Sequence, residues 1–276
     1  MNPDLVRSTV AQALAEDIGS GDITGGGFTD LAATGRVVAE EDVVVAGLEV
    51  AREVFHQVDP KVVFETAVAD GDAVADGGVL FTVAGTGAAL LAAERVALNF
   101  IQRLTGIATL TRRYVARVEG TGCAIADTRK TTPHLRELEK YAVRMGGGKN
   151  HRMGLFDAVL IKDNHIELAG SMENAVARAR ALAGEGKKIE VETSNLAEVE
   201  QALALSADII MLDNFDLPGM KKAVALIAGR ALVEASGGVN LDSVRPIAET
   251  GVDIISVGRL THSAPAAELS MDIFPA

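Results

Sequence analysis

The sequence predicts an α/β protein, in which a small N-terminal α+β unit precedes a series of parallel strands joined by helices. From about Ala88 onward, apolar strand-like runs alternate with helical patterns; the runs are CAIADT, DAVLIKDN, KIEVETS, ADIIMLDN, ALVEASGG and DIISVGR. Such alternation is typical of parallel sheets with crossover helices. Before Ala88 the strand-like runs are short and separated by turn signals, which favours antiparallel pairing.

The N-terminal unit begins with an amphipathic pattern, whose apolar residues at helical spacing are Leu5, Val6, Val10, Ala13 and Leu14. The glycine-rich stretch GSGDITGGG predicts a loop. The strand-like runs that follow are GRVVAEEDVVVAG, VVFETAVADGDAV and VLFTVAGTG, with the helical run LEVAREVFHQV between the first two. A long helical pattern over 88–118, interrupted only by Gly106, leads into the alternating part, where SMENAVARARALAGEG is one of the predicted helices.

The composition excludes several classes of protein. The 276 residues carry 26 basic and 38 acidic side chains, a formal net charge of −12. This balance argues against a nucleic-acid or membrane-surface role, because both need a positive face. The single cysteine, Cys123, cannot form an intramolecular disulfide and fits a reducing cytoplasm. The sequence has no apolar signal-peptide core and no run of about 18 apolar residues, so neither a signal peptide nor a membrane span is expected.

Each strand-like run of the alternating part ends on a polar or glycine element. These ends are Thr128 with Arg129, Lys162, Glu192, Asp213, Ser236–Gly238 and Gly258, and from Lys162 onward they are 30, 21, 23 and 22 residues apart. The carboxyl ends of the strands of a βα barrel meet at one mouth, where active sites lie. We therefore expect these residues to converge. The alternative, that polar residues simply follow buried strands, must explain six consecutive examples.

Cations are concentrated at this predicted mouth. Arg129 and Lys130 follow one strand end, His151 and Arg152 follow the glycine-rich turn GGGKN, and Lys162 ends another strand. The turn is expected to bring His151 and Arg152 back beside Arg129 and Lys130. Close cations repel one another unless an anion lies between them, and arginine pairs bidentately with carboxylate and phosphate. A multiply charged anionic substrate is therefore expected. The intervening residues 135–143 predict a helix whose charges mostly face water, so Arg136 and Lys140 are not placed in the site.

Two acidic residues and two glycine loops complete the predicted mouth. Glu192 and Asp213 are suited to bind ribose hydroxyls, hold a divalent metal or stabilise a developing positive charge, with a structural salt bridge to Lys162 as the alternative. Ser236–Gly238 and Val257–Gly258 follow the last two strands, where barrel loops commonly bind phosphate through backbone N–H groups. These features describe a site for a phosphorylated sugar and a small polyanion.

Seven motifs along the chain carry a family resemblance: ERVALNFIQRLTGIAT, DTRKTTP, GGGKNHRMGLFDAVLIKDNHI, EVET, IMLDN, EASGG and ISVG. In this order they closely resemble quinolinate phosphoribosyltransferases, the carboxylating nicotinate-nucleotide pyrophosphorylases. The likeness extends from EDIGSGDIT to the last strand. It implies an N-terminal α+β open sandwich domain over 1–105, onto which a tail of about 265–276 returns, and an incomplete, TIM-like α/β barrel over 106–264.

The resemblance also implies an activity. Phosphoribosyl passes from 5-phosphoribosyl 1-pyrophosphate to quinolinate with decarboxylation, which yields nicotinate mononucleotide, pyrophosphate and CO₂ in de novo NAD synthesis. Mg²⁺ is the implied cofactor, the cytoplasm the implied location, and a homodimer or higher oligomer the implied assembly. A phosphoribosyltransferase for another pyridine carboxylate, such as nicotinate, is the alternative.

Matched residue by residue, the resemblance implies specific roles. The quinolinate pocket comprises Thr128, Arg129, Lys130, His151, Arg152 and Lys162. Glu192 and Asp213 lie near the ribose and hold its Mg²⁺ directly or indirectly, and these two acids with Lys130 and Lys162 are the candidate catalytic residues. The loops around the 5′-phosphate comprise Ser236, Gly237, Gly238, Val257, Gly258 and Arg259. Arg95 is the arginine that members of the family lend to the partner subunit's site.

One residue departs from the family pattern, and two other functions are considered. After DTRKTTP the family usually has glycine, which permits a positive φ or a close approach, whereas this chain has His134.

A Schiff-base aldolase with Lys162 as nucleophile is an alternative function, with a different reaction on the same barrel. A lipoyl- or biotinyl-carrier shape is suggested by VADGDAVADGGVLFTV, but residues 74–80 contain no lysine to carry the cofactor.

Overall fold

The computed structural model describes residues 1–184 and 186–276. Its helices are α1 (Pro3–Ile18), α2 (Leu48–Val58), α3 (Gly87–Arg117), α4 (Arg136–Met145), α5 (Asp163–Ala169), α6 (Met172–Ala183), α7 (Leu196–Ala204), α8 (Leu217–Ile227), α9 (Val244–Ala248) and α10 (Arg259–His262). Its strands are β1 (Ala32–Ala39), β2 (Val43–Val44), β3 (Val63–Thr66), β4 (Ala73–Val74), β5 (Val79–Thr86), β6 (Ala124–Ala126), β7 (Val159–Ile161), β8 (Ile189–Thr193), β9 (Ile209–Asp213), β10 (Leu232–Ser236), β11 (Ile254–Ser256) and β12 (Leu269–Pro275). The chain forms two compact units, one of residues 1–112, 132–147 and 260–276 and one of residues 113–131 and 148–259.

The first unit contains an antiparallel sheet with strand order β12-β1-β5-β3. The C-terminal strand β12 pairs along most of β1, from Ala33 opposite Pro275 to Ala39 opposite Leu269. Strand β1 alternates exposed and buried side chains, as expected of a sheet with one solvated face. An aromatic cluster of Phe55, Phe64 and Phe81 links α2, β3 and β5 in the core of this unit.

Helix α3 runs through Gly106, which the sequence pattern treats as an interruption. A Cβ atom at Gly106 would lie 2.0 Å from the carbonyl oxygen of Pro265. Glycine is therefore required because the C-terminal segment crosses the helix backbone at this point, and the helix itself continues without a break.

Helix α4 confirms the predicted helix over 135–143, but the expectation that its charges mostly face water is wrong for two of them. Glu139 and Lys140 are fully buried. Both oxygens of the Glu139 carboxylate accept hydrogen bonds, from the Arg103 guanidinium, from the Thr132 hydroxyl and from the Thr132 backbone N–H. A buried charge needs such partners, and the charged one, Arg103, comes from α3, 36 residues away in sequence.

The second unit is a six-stranded parallel sheet with order β6-β11-β10-β9-β8-β7. Among the described residues no pairing joins β6 to β7, so the ring of strands stays open there. This arrangement, with helices between successive strands, is an incomplete α/β barrel, and it confirms the predicted fold class. Residue Lys149 forms an isolated bridge with Ala126 of β6, which confirms that the GGGKN turn returns beside the first group of cations.

Side-chain caps fix the starts of the helices that follow the strands. Ser171, Asn195 and Asp216 each accept a hydrogen bond from a backbone N–H in the first turn of α6, α7 and α8, which satisfies a donor that the helix leaves unpaired. Helix α6 covers twelve residues of the pattern predicted over 171–186, in which Glu185 lies outside the described residues. Among the described helices, none combines the length and the apolar character that crossing a bilayer requires.

Candidate active site

The parallel register brings the predicted strand-end residues of the second unit to one edge. Ser236 is opposite Asp213, and Glu192 is opposite Met211, two residues before Asp213. Lys162 and Gly258 follow the last residues of β7 and β11 by one and two positions. Because side chains alternate across a strand, residues two apart point to the same face. Five strands therefore present polar or glycine residues at the same carboxyl edge.

Lys162 and Glu192 form an ion pair between Nζ and Oε2 across the ends of β7 and β8. Lys162 is the N-cap of α5, and its backbone N–H donates to Nδ1 of His165 at 3.0 Å. The Lys162 side chain is 42% exposed and that of Glu192 is 16% exposed. The pair thus lies at the surface of the mouth, where Lys162 carries its charge within reach of solvent and ligand.

Asp213 is followed by Asn214, which connects β9 to the glycine loop after β10. The Asn214 amide donates to Oδ2 of Asp213 at 2.8 Å, and its backbone N–H donates to the Ser236 carbonyl at 3.0 Å. Gly237 has φ +99°, and a Cβ atom there would lie 2.2 Å from Oδ1 of Asn214. Only glycine fits this position, because both the backbone conformation and the packing exclude a side chain.

Arg129, Lys130 and Arg152 occupy the other part of the mouth. Thr128 accepts a hydrogen bond from the Lys130 backbone N–H through its Oγ1 at 3.0 Å, which shapes the turn after β6. Burial lowers the pKa of Arg152, and the nearby charge of Arg129 lowers it further, while Glu190 and Asp157 act in the opposite direction. The two guanidinium groups are therefore close enough to repel, which is the condition that an anionic ligand would relieve.

His151 is held by buried acids that are not in the predicted set. Its Nε2 lies 3.1 Å from Oε2 of Glu190 and 3.5 Å from Oε2 of Glu234, and its backbone N–H donates to buried Asp127 at 2.9 Å. Burial alone would lower the pKa of His151, but hydrogen bonds and charge from the two glutamates raise it to about 10. The backbone N–H of Arg152 is 2.8 Å from Nδ1 and disfavours a proton there. The glutamates thus favour a charged ring, whereas the N–H at Nδ1 favours the neutral ring with its proton on Nε2, facing the glutamates.

The strand periodicity contains the signal for these two glutamates. Glu190 precedes Glu192 by two residues on β8, and Glu234 precedes Ser236 by two residues on β10. The alternation that directs Glu192 and Ser236 into the mouth directs Glu190 and Glu234 to the same face, one layer deeper. Burial raises the pKa of Glu190, and the charge of Glu234 raises it further, whereas His151 and Arg152 lower it.

The remaining predicted residues divide between the units. Val257 is buried and donates its backbone N–H to the Ala126 carbonyl at 2.9 Å, which aligns the last loop with β6. Gly258 follows it, and Arg259 begins α10 at an exposed position. Arg95 is exposed on α3 in the first unit, whereas all the other predicted site residues belong to the second.

Comparisons with known proteins agree with this geometry. Residues 18–105 match the N-terminal domain and residues 107–272 the C-terminal domain of the family model for quinolinate phosphoribosyl transferase. A probable nicotinate-nucleotide pyrophosphorylase (carboxylating) of Synechocystis sp. is 47% identical over 98% of this chain and 92% of its own, and one of Bacillus subtilis is 42% identical over 99% and 95%. The solved structure of the nicotinate-nucleotide pyrophosphorylase from Francisella tularensis superposes with a TM-score of 0.96 at 42% identity, covering 99% of this chain and 98% of that one. The chain belongs to the quinolinate phosphoribosyltransferase family.

Proposed function

We propose that the protein transfers phosphoribosyl from 5-phosphoribosyl 1-pyrophosphate to quinolinate with loss of CO₂, as a carboxylating nicotinate-nucleotide pyrophosphorylase in NAD synthesis. The observation that carries this proposal is the match of both parts of the chain to one family, together with a mouth in which cations and glycine loops lie at neighbouring strand ends. The relatives named carboxylating enzymes also disfavour the alternative in which nicotinate is the substrate.

Quinolinate carries two adjacent carboxylates, and the cations of the mouth suit them. The side chains proposed to hold it are Arg129, Lys130, His151, Arg152 and Lys162, with Thr128 beside them. The mutual repulsion of Arg129 and Arg152 supports this assignment, because a dianion between them neutralises both charges. An analogue with one carboxylate would leave a cation unpaired, and sites built for a polar group reject such analogues by about 10⁴-fold.

The phosphorylated sugar is assigned to the opposite part of the mouth. Gly237 and Gly238 have φ values of +99° and +61°, conformations in which consecutive backbone N–H groups can point at a phosphate. The loops proposed to hold the 5′-phosphate comprise Ser236, Gly237, Gly238, Val257, Gly258 and Arg259. Glu192 and Asp213 are proposed to lie by the ribose.

Mg²⁺ is the proposed cofactor, and the oxygen donors of Asp213 and Glu192 fit this hard cation. Glu192 already pairs with the Lys162 ammonium, so Asp213 is the better-placed ligand and Glu192 acts on the ion indirectly. When bound with the substrate, the ion would neutralise charge on the pyrophosphate oxygens.

The reaction follows from holding two anions that repel each other in solution. Positioning of the pyridine nitrogen against the sugar C1 can supply roughly 7–11 kcal/mol of the barrier. The C1–O bond breaks, pyrophosphate takes the electron pair, and the carboxylates of Glu192 and Asp213 stabilise the oxocarbenium-like centre. The pyridine nitrogen forms the new bond to C1 and becomes cationic.

Decarboxylation uses the cationic ring as an electron sink. The bond from the ring C2 to its carboxylate breaks, CO₂ leaves, and the electron pair remains on C2 until a proton is delivered there. Lys162 or Lys130 is proposed to stabilise this carbanion or to protonate it. Both lysines follow strand ends, and the Lys162 Nζ forms an ion pair with Glu192.

We also propose a homodimer, or a higher oligomer built from it, in which Arg95 enters the partner's site. Four large apolar side chains of the second unit, 77–89% exposed, support a covered surface: Leu155, Phe156, Leu168 and Leu182. They line one groove beside β7, the edge strand of the open sheet, and exposed patches of this kind mark contacts between chains. The cytoplasm is the proposed location, because the single cysteine fits a reducing compartment.

Release of ¹⁴CO₂ from carboxyl-labelled quinolinate tests the activity. Release that requires 5-phosphoribosyl 1-pyrophosphate supports the proposal, whereas equal turnover of nicotinate and quinolinate contradicts it.

Mixing two inactive variants tests the shared site. If Arg95→Ala and Arg129→Ala affect residues of the same site in different subunits, mixed dimers have one intact site and the mixture regains about a quarter of wild-type activity. No recovery after subunit exchange contradicts the lending of Arg95.

A further inference from the structure

Beneath the strand-end residues lies a deeper layer with two acids that the reaction above does not use. Glu190 and Glu234 are 3% and 1% exposed. Each lies two residues before a mouth residue on the same strand, so their Cα atoms are about 6.6 Å further from the carboxyl edge. They belong to β8 and β10, which both pair with β9.

These acids are costly to keep in the core. Oε1 of Glu190 and Oε1 of Glu234 have no hydrogen-bond partner among the described residues, and Oε2 of Glu234 has only its contact with His151 at 3.5 Å. Replacing a buried ionic group by an apolar residue of similar size is often neutral or stabilising. Packing therefore does not account for glutamate at these positions, and perturbed buried acids beside a mouth are typical of functional sites.

Both acids contact the same residue, His151. Both point Oε2 at its Nε2, at 3.1 and 3.5 Å, whereas Asp127 and the Arg152 N–H hold the same residue on its other side. Glu190 also acts on Arg152 by charge, against the effect of Arg129. His151 is thus fixed from three segments: β8, β10 and the end of β6.

We propose that Glu190 and Glu234 are positioning residues for quinolinate, which clamp the His151 imidazole through Nε2 and so fix the ring beside Arg152. This inference rests on the proposed function. The ring is then fixed at both nitrogens, by the glutamates at Nε2 and by the Arg152 backbone N–H at Nδ1. The clamp therefore aligns the His151–Arg152 backbone, without either glutamate touching the substrate.

Glu190, Glu234 and Arg152 act on the His151 ring, and Asp127 holds its backbone. The two glutamates together outweigh burial and raise the pKa of His151. The Arg152 N–H at Nδ1 opposes the second proton of the ring, so the proton that the geometry fixes is the one on Nε2. Removal of Glu234 leaves Nε2 with one carboxylate acceptor instead of two.

Glu234→Leu separates a positioning role from a structural one. We expect the KM for quinolinate to rise by about tenfold or more, as for the loss of a charged contact. The KM for 5-phosphoribosyl 1-pyrophosphate should stay unchanged. The melting temperature should be equal to or above that of the wild type. Glu234→Gln, which keeps the shape and removes the charge, should show the same selective rise and serves if Glu234→Leu does not fold. Glu200→Gln, at an exposed position on α7, is the matched control.

A direct readout is the ¹⁵N NMR spectrum of the histidine side chains, with His151 assigned by its loss in His151→Asn. We expect a slowly exchanging Nε2–H signal at pH 7.5 in the wild type, with Nδ1 unprotonated, and faster exchange of that proton in Glu234→Gln. Unchanged quinolinate KM in both variants, an equal rise in both KM values, or rapid Nε2–H exchange in the wild type would overturn the clamp.

The donor atoms of His151, Glu190 and Glu234 lie within 4.8 Å of one another, so stoichiometric Zn²⁺ retained after dialysis would also overturn the clamp in favour of a metal site. The NMR experiment needs no turnover. A slowly exchanging Nε2–H in a protein that does not convert quinolinate would therefore refute the proposed function while leaving the His151–glutamate contact intact.

Discussion

Lys162 and Glu192 form an ion pair at the ends of the adjacent parallel strands β7 and β8. A structural salt bridge is the alternative role for Glu192, and the pair has that geometry. Its place at the mouth, with Lys162 42% exposed, also leaves the ammonium available to a ligand. Kinetics and stability separate the two roles, because an exposed pair contributes about 0–1 kcal/mol to folding.

Lys162→Met should therefore lower kcat by roughly 10²–10³-fold, the range found for loss of one electrostatic stabiliser, with little change in melting temperature. Steady-state kinetics with both substrates varied measures the effect. Lys221→Met, at an exposed position on α8, should stay close to wild type. A kcat within threefold of wild type, with a lower melting temperature, would assign the pair a structural role only.

Arg129→Ala and Arg136→Ala test how the cations of one segment divide between site and helix. Arg129 follows β6 at the mouth, whereas Arg136 is the first residue of α4 in the other unit. Truncating one member of a buried charge contact costs about 2–5 kcal/mol, so kcat/KM for quinolinate should fall roughly 10²–10³-fold for Arg129→Ala. Arg136→Ala should change it by less than about threefold. Equal losses would mean that the cations are assigned wrongly.

His134 has φ +64°, the left-handed conformation that glycine adopts without strain. The usual family glycine is thus explained by backbone conformation. His134→Gly should stabilise the protein by roughly 0.5–1 kcal/mol, since relief of the left-handed penalty exceeds the added entropy of the unfolded chain. Chemical denaturation measures this difference. His134→Ala keeps the penalty and should bring no gain; equal stabilisation by both variants would point to the imidazole instead.

Glu139 is fully buried and accepts hydrogen bonds from Arg103 and Thr132. Glu139→Ala should lower the free energy of unfolding by about 3–5 kcal/mol, because it leaves Arg103 and Thr132 without the carboxylate. Urea denaturation of the variant, with the exposed Glu200→Gln as control, measures the loss. A change below about 1 kcal/mol would show that the pair contributes no more than a surface salt bridge.

Burial, together with the charge of Asp253, raises the pKa of Cys123 to about 12. Thiolate is the reactive form, so at pH 8 the folded protein should react with a disulfide reagent at least 10²-fold more slowly than the unfolded chain. The reaction should accelerate as the pH approaches 12, if the fold persists. Comparable rates for folded and urea-unfolded protein at pH 8 would contradict the raised pKa.

The alternating βα order, the strand-end residues of the mouth and the family motifs can all be predicted from the amino-acid sequence. These are local properties: strand periodicity and loop composition decide which residues stand at a carboxyl edge, and parallel pairing then gathers Lys162, Glu192 and Asp213 there.

Which charged side chains are buried, and which residues they contact, depends on the tertiary structure. Glu190 and Glu234 meet His151 only because β8 and β10 flank β9, and Glu139 meets Arg103 only because α4 packs in the same unit as α3. Strand β12, at the C-terminal end of the chain, pairs with β1, near its N-terminal end. A buried charge is stable only with partners, and partners contributed by distant segments are specified by packing rather than by any local pattern.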